Sequence, residues 1–419
     1  PQDDLANVPA NATCLRLARR ADFIIVFAHV GGSSLRLLLE FRVGVLEIFS
    51  ERMHRSMSMH CDAHDPPRPF SEACADNVLV FRGKLNDRAR AVVNFDYVND
   101  HVVLAHNDHA AMLGLDGTIR LRAGGCTGII AVGGGSSIDA AKVIACTRSS
   151  DESPDSWVGL NKVPADVLPV YAIPTTSGTG SEATIGAVIK DPEEKLKAII
   201  AADALLPRCV ALDPDLLLGM PASVTAATGI DALTHGIEAF ICIWDRGTRS
   251  ENGRLAVQGV FKWLPRVLEA PDDRDIRLGM ALAAYHAGIA INQVGVGNVH
   301  AIAHQLGARY GIPHGQANAL ALPHVLQMCV AEAEIGLAEL AVATGVSDAA
   351  SSAARAQAFI DSVSDLITKV GINSKDERIQ AVDWEPITHA AMDEADGYMS
   401  PRLLTKDETM QILERITTD

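Results

Sequence analysis

Apolar and polar positions change rhythm once along the chain, and the change divides it into two parts. In "TGIIAVGGGSSIDAAKVIA" (127–145) an unbroken apolar run meets three glycines, and apolar positions then recur at helical spacing. That order predicts a buried strand, a tight turn and a helix start. "VLPVYAIPTT" (167–176) predicts a second buried strand, followed by the small polar loop "SGTGSEAT". "IGAVIKD" and "KAIIAADALLPRCVALDP" predict further short strands. Beyond "DPDLLLGMP" (213–221), Ala and Leu at helical spacing dominate to the C-terminus, with Gly and Pro as breaks. This is the pattern of packed helices. The expected architecture is an α/β part over 1–215 and an all-helical part over 216–419, with the boundary within 213–221. Upstream of residue 120 the pattern is weaker. "ADFIIVFAHV" (21–30) has strand character, whereas "SERMHRSMSMHCDAHDPPRPF" (50–70) follows neither period and reads as loop. No ordered βαβ series is legible in 1–119, and no internal repeat appears.

A chain of 419 residues exceeds a usual single domain, in keeping with two parts. The net charge of −16 argues against a nucleic-acid or anionic-membrane partner, which is bound chiefly through Lys and Arg, and favours a small molecule. The eight cysteines (14, 61, 74, 126, 146, 209, 242 and 329) are scattered without a C-x-x-C pair, so reduced thiols, no disulfides and a cytoplasmic setting are expected. No stretch reaches the roughly 18 to 20 uninterrupted apolar residues of a membrane span, and "PQDDLANVPANATC" lacks the form of a signal peptide.

Two loops suggest a phosphate-bearing ligand. Gly133, Gly134 and Gly135 stand between strand and helix, where backbone N–H groups can approach a phosphate at a helix N-terminus. Ser136 or Ser137 is expected to cap that helix, with Asp139 in its first turn. The loop fits neither G-x-G-x-x-G nor G-x-x-x-x-G-K-[ST], and a ligand-free turn is the plain alternative. The hydroxyl run Thr175, Thr176, Ser177, Thr179, Ser181 and Thr184 follows the next strand, at the kind of strand end where nucleotides lie in open α/β sheets.

Asp231 and His235 lie four apart beside apolar Ile230, Leu233 and Ile237; His300 and His304 repeat the spacing, and His314 follows between Pro313 and Gly315. A single histidine on an apolar helix is usually a core residue with a hydrogen-bond partner. As a set, one carboxylate and several imidazoles can close around a divalent cation with a position left for substrate oxygen. Nitrogen and oxygen donors without thiolate suit Fe(II), Zn(II), Ni(II) or Mn(II). The groups His60/His64 and His101/His106/His109 sit on no clear element and read as surface, and His286 and His324 as core or surface.

"GGGSSIDAAK", "IPTTSGTGSEAT", "DALTHGIEAF" and "GVGNVHAIAHQLGARYGIPHGQANALALPHVL" resemble the iron-containing (group III) alcohol dehydrogenases, closely over 120 to about 330 and more loosely to "MSPRLLTKDE", where Ser400 replaces the family's Asn. The resemblance implies a Rossmann-like dinucleotide-binding domain and a helical metal domain. It implies Asp231, His235, His300 and His314 as ligands of iron(II), or secondarily zinc(II). His304 would line the cleft near the nicotinamide without being a ligand; as a histidine one helical turn from His300 it is, on its own chemistry, the best candidate to relay the proton. Gly134, Gly135, Ser136, Asp139, Thr175, Thr176, Ser181 and Lys197 would contact NAD or NADP. Hydride transfer between a small alcohol or hydroxy acid and the nicotinamide, by a homodimer or higher homo-oligomer, is the implied activity. Residues 1–119 depart from the family: Ala28 and His29 stand where an acidic residue would select NAD, and 66–69 read "PPRP" instead of a "PNP"-type segment. Alternatives are a dehydroquinate-synthase-like lyase, a noncatalytic metal-binding homologue with a degraded nucleotide domain, and metal-dependent hydrolysis, which leaves the two loops unexplained.

Overall fold

The computed structural model describes residues 128–190, 197–244 and 248–418 and, upstream of these, five strand segments. Those segments are β1 (Phe23–Ala28), β2 (Glu40–Arg42), β3 (Val78–Val80), β4 (Arg90–Val92) and β5 (Val102–Ala105). They are followed by β6 (Gly128–Gly133), β7 (Gly159–Leu160), β8 (Val170–Pro174), β9 (Gly186–Lys190), β10 (Lys197–Ala201) and β11 (Cys209–Leu212). Six of these strands form an all-parallel sheet in the order β3-β11-β8-β6-β1-β5. β6 and β8 are buried along their whole length, which is why each reads as a continuous apolar run instead of an alternation.

The sheet bears out the strand character of 21–30, which holds β1, and adds strands that the pattern of the first 119 residues does not reveal. β1, β3 and β5 all come from that stretch, and β1 lies between β6 and β5, with Val26 opposite both Ala131 and Val103. β3 and β5 have three and four residues, too few to establish a period. The expected α/β class holds, with more of the sheet contributed from upstream than the pattern reveals.

After β6 the chain enters α1 (Gly135–Cys146), whose Ile138, Ala141 and Ile144 pack on Ile129 and Val170 of the sheet. The last strand ends at Leu212, and a short 3-10 turn, Pro214–Leu217, leads to the first long helix. From there on the described residues are helical: α2 (Ala222–Ile241), α3 (Thr248–Glu269), α4 (Arg274–Val294), α5 (Asn298–Tyr310), α6 (His314–Met328), α7 (Val330–Thr344), α8 (Ser352–Lys369), α9 (Trp384–Ala395) and α10 (Lys406–Ile416). Their core runs through Ile230, Leu233, Val257, Leu264, Leu320, Leu337 and Phe359. α4 joins the two parts, because its Leu278, Ala281 and Tyr285 pack against Val210 and Leu212 of β11. Among the described residues no helix is long and apolar enough to cross a membrane. Cys146, Cys209, Cys242 and Cys329 are free thiols, and the other four cysteines lie outside the described residues.

Candidate metal and dinucleotide site

On α2, Asp231 and His235 are one helical turn apart on one face, and both are buried. α5 brings His300 to the same point from a second direction. α5 ends at Gly311, whose φ of 66° turns the chain sharply, so that α6 begins at His314 three residues later. The next residue has to be glycine: a Cβ on Gly315 would fall 1.9 Å from the Ala227 carbonyl oxygen. That approach seats the start of α6 on α2, one turn before Asp231, and delivers His314 to the cluster.

Asp231 Oδ1 lies 3.6 Å from His235 Nε2, 3.6 Å from His300 Nε2 and 3.3 Å from His314 Nε2. One donor atom from each of the four residues lies within 4.8 Å of the other three. Tetrahedral bonds of about 2.1 Å put ligand atoms roughly 3.4 Å apart, so the three separations from Asp231 Oδ1 match a divalent first-row cation with N/O donors. Burial alone would raise the Asp231 carboxyl, yet the surrounding imidazoles hold it well below the usual carboxylate range, so it stays an anion. Burial drives His235 down to about 4, which keeps its ring neutral and its lone pair available. Burial would lower His300 too, but Glu238 and Asp231 overcome it and raise the ring to about 9.

Three residues at this centre escaped the sequence reading. Glu238 lies three residues beyond His235 and accepts from His300 Nδ1 at 2.6 Å; the stripe 231, 235, 238 was a usable signal. Asn318, one turn beyond His314, donates to Asp231 Oδ1 at 2.8 Å. Glu394 on α9 accepts from His304 Nδ1 at 2.5 Å, from Tyr398 at 2.6 Å and from Gln305 at 2.8 Å. His304 stands beside the four-residue set, its ring stacked on His314 with centroids 5.2 Å apart. His286 pairs with Asn252, and neither it nor His324 joins the cluster. His60, His64, His101, His106 and His109 lie outside the described residues.

The glycine loop at the end of β6 and the threonine loop at the end of β8 are neighbours, with Thr175 N–H donating to Gly133 O at 2.9 Å. The expected serine cap is not formed. Gly134, not a serine, is the N-cap of α1 and has no side chain to cap with; Ser137 and Ile138 N–H bond back to its carbonyl. This leaves Gly134, Gly135 and the exposed Ser136 at the helix start, and buries Ser137. Asp139 is the fifth residue of α1 and not in its first turn. Its Oδ1 accepts from Ser181 Oγ at 2.5 Å and its Oδ2 from Val188 N–H at 3.1 Å, so Asp139 and Ser181 clamp α1 to the threonine loop. Thr175 and Thr176 are partly buried at the strand end. Lys197 opens β10 opposite Lys190, and its side chain lies outside the described residues.

Lys142 tightens the same clamp and was missed in the sequence. Fully buried, its ammonium donates to the carbonyls of Ser181 (2.7 Å), Thr184 (2.9 Å) and Gly186 (2.6 Å). Burial lowers it to about 8 against the attraction of Asp139 and Glu182. Glu182, buried beside it, is pushed up from 4.5 to about 7 by desolvation, with a backbone hydrogen bond and Lys142 opposing. Between those two pH values the folded chain holds a proton that the unfolded chain has released, so this group's contribution to stability falls as pH rises from 4.5 to 7. Glu182→Gln removes the dependence. Its gain over the parent is expected to grow from nothing at pH 4.5 to on the order of 3 kcal/mol above pH 7; denaturant melts across that range check it, and a gain that does not change with pH contradicts it.

The threonine loop also reaches the metal helix. A Cβ on Gly178 would fall 2.4 Å from Thr228 Cβ, which places the loop against α2 three residues before Asp231. On the other side, Ile185 N–H donates to Asn292 Oδ1 of α4 at 2.6 Å.

Comparison with known families agrees with this arrangement. The family described as iron-containing alcohol dehydrogenase matches residues 85–214, and the Fe-containing alcohol dehydrogenase family, C-terminal, matches 225–417. The chain is 33% identical to the NAD-dependent methanol dehydrogenase of Bacillus methanolicus, over 69% of this chain and 77% of that one. The chain belongs to the iron-containing alcohol dehydrogenase family. Lactaldehyde reductase of Escherichia coli is 34% identical over 68% of this chain and 75% of its own. Among solved structures, an alcohol dehydrogenase from Oenococcus oeni superposes with a TM-score of 0.72 at 27% identity, covering 77% of this chain and 86% of that one. The family match begins at residue 85, 48 residues before the first of the motifs at Gly133, and includes β4 and β5. Toward the C-terminus, Ser400, in the position where the iron-containing alcohol dehydrogenases were expected to have Asn, accepts from Asn298 N–H at 3.2 Å, while Asn298 donates to Arg402 O at 2.8 Å. The "MSPR" segment is thereby tied to the start of the metal-site helix α5. Membership in this family does not favour the noncatalytic or lyase alternatives.

Proposed function

We propose that this enzyme transfers hydride between a small primary or secondary alcohol, or a hydroxy acid, and NAD or NADP, with iron(II) ahead of zinc(II) as the metal. The observation that supports this reading is the seating of Gly178 against Thr228, which packs the threonine loop on α2 three residues before Asp231. A hydrolase would have no use for that adjacency.

A divalent cation supplies Lewis acidity toward the alcohol oxygen, and the nicotinamide is the hydride acceptor. The chain does the rest. Asp231, His235, His300 and His314 hold the cation. Gly134, Gly135, Ser136, Thr175 and Thr176 present backbone and hydroxyl groups to the dinucleotide, with Lys197 as a further contact; Asp139 and Ser181 act by fixing the shape of that bed. The buried Ile230, Leu233 and Ile237 exclude water behind the ligands. His304 accepts the alcohol proton, its ring held at Nδ1 by Glu394. The free thiols suit a reducing cytoplasm, and we place the enzyme there as a homo-oligomer.

The test is an NAD(P) reduction assay over short alcohols on protein of known metal content. Activity should vanish on chelation and return with Fe(II) or Zn(II). Binding of NAD(H) or NADP(H) without turnover of any alcohol, in metal-replete protein, would overturn the reading.

A further inference from the structure

We propose that Glu238 is the positioning residue that sets the tautomer of His300 and so makes Nε2 of that ring a metal donor, an inference that rests on the ligand set proposed above. Glu238 is buried on α2, one turn beyond His235 and two beyond Asp231. Its Oε1 accepts from Val299 N–H at 2.8 Å; its Oε2 accepts from Gly297 N–H at 2.8 Å and meets His300 Nδ1 at 2.6 Å. The two backbone groups can only donate, and together they hold the carboxylate as an acceptor on both oxygens. His300 Nδ1 therefore keeps its hydrogen, which leaves Nε2, the atom that faces Asp231 Oδ1 at 3.6 Å, as the one that can donate a lone pair to a cation. His235 has no such support: its Nδ1 is buried without a partner.

The approach is built into the backbone. A Cβ on Gly297 would fall 2.7 Å from Glu238 Oε1 and 3.1 Å from Ser400 Oγ, so any larger residue pushes the carboxylate away from α5. Glu238 thus links the N-terminus of α5, the Ser400 segment and the ligand helix α2 at one carboxylate.

Glu238→Gln keeps the size of the side chain but puts an amide NH2 on one side of the group. Facing His300, it drives the ring hydrogen onto Nε2; facing Val299, it opposes an N–H with an N–H. Supporting hydrogen bonds of this kind are worth about 10- to 100-fold in metal affinity. Chelator competition with Co(II) is expected to show a loss in that range for Glu238→Gln and for Gly297→Ala, with an altered Co(II) absorption band. Chelator-treated samples of both variants should still melt in a single transition. His235→Ala serves as the comparison. If it loses Co(II) while Glu238→Gln binds as tightly as the parent, the role of Glu238 is overturned alone. If His235→Ala also binds as the parent does, the ligand assignment falls and the inference with it.

Discussion

Asp231→Ala is expected to leave the enzyme without stoichiometric metal and to lower alcohol oxidation at least about a thousandfold. The argument starts from charge. Asp231 supplies the only anionic atom of the donor set, and that atom, Oδ1, lies within 3.3–3.6 Å of all three imidazole Nε2 atoms. Removing it leaves three neutral donors around a doubly charged ion in a buried site. The Lewis acidity lost with the ion is worth several kcal/mol of transition-state stabilisation, and at about 1.4 kcal/mol per factor of ten this is a thousandfold or more. The fold should survive, because Asp231 is itself a desolvated carboxylate whose partners are the site's imidazoles and Asn318. Metal analysis beside steady-state rates checks the result. An alanine variant that retains one metal per chain refutes the ligand role, whatever its rate.

The ease with which Asp231 and its partners are found in the sequence has a physical reason. Residues 231/235 and 300/304 sit at the four-residue helical interval, and a charged or imidazole side chain on an otherwise apolar face needs an explanation. His314 comes with Pro313 and Gly315, whose backbone demands mark the turn locally. Glu238 continues the same stripe on α2 and was legible by the same rule. Glu394 was not: it reaches His304 from α9, 90 residues away, and no local spacing encodes a tertiary contact. Of the upstream strands in the six-stranded sheet, β1 was legible in "ADFIIVFAHV", but β3 and β5 were not, because strands of three and four residues such as "VLV" carry no period. Glycine and hydroxyl content marks the two loops as special, but not how their side chains pair: Asp139 accepts from Ser181 Oγ and from Val188 N–H because of how α1 packs on the loop.

His304→Ala separates proton transfer from metal binding, which Asp231→Ala cannot do. His304 is one turn beyond His300 and its ring stacks on His314, yet it stands outside the four-residue donor set. Its Nδ1 is committed to Glu394, which Tyr398 and Gln305 also hold. Burial alone would raise the Glu394 carboxyl, but the hydrogen bonds from His304, Tyr398 and Gln305 bring it below its usual value, so it stays an anion that fixes the imidazole. A positioned imidazole contributes typically 10²- to 10⁴-fold through proton transfer. Turnover of the alanine variant is therefore expected to fall by about that factor, with metal content near one per chain and dinucleotide affinity unchanged. Glu394→Gln, which keeps the packing but weakens the hold on Nδ1, should lower turnover less and also leave the metal in place. Metal analysis, dinucleotide titration and kcat measured on the same preparations decide the matter. If His304→Ala loses the metal, the residue belongs to the cage; if it keeps both metal and turnover, the proton leaves by another route.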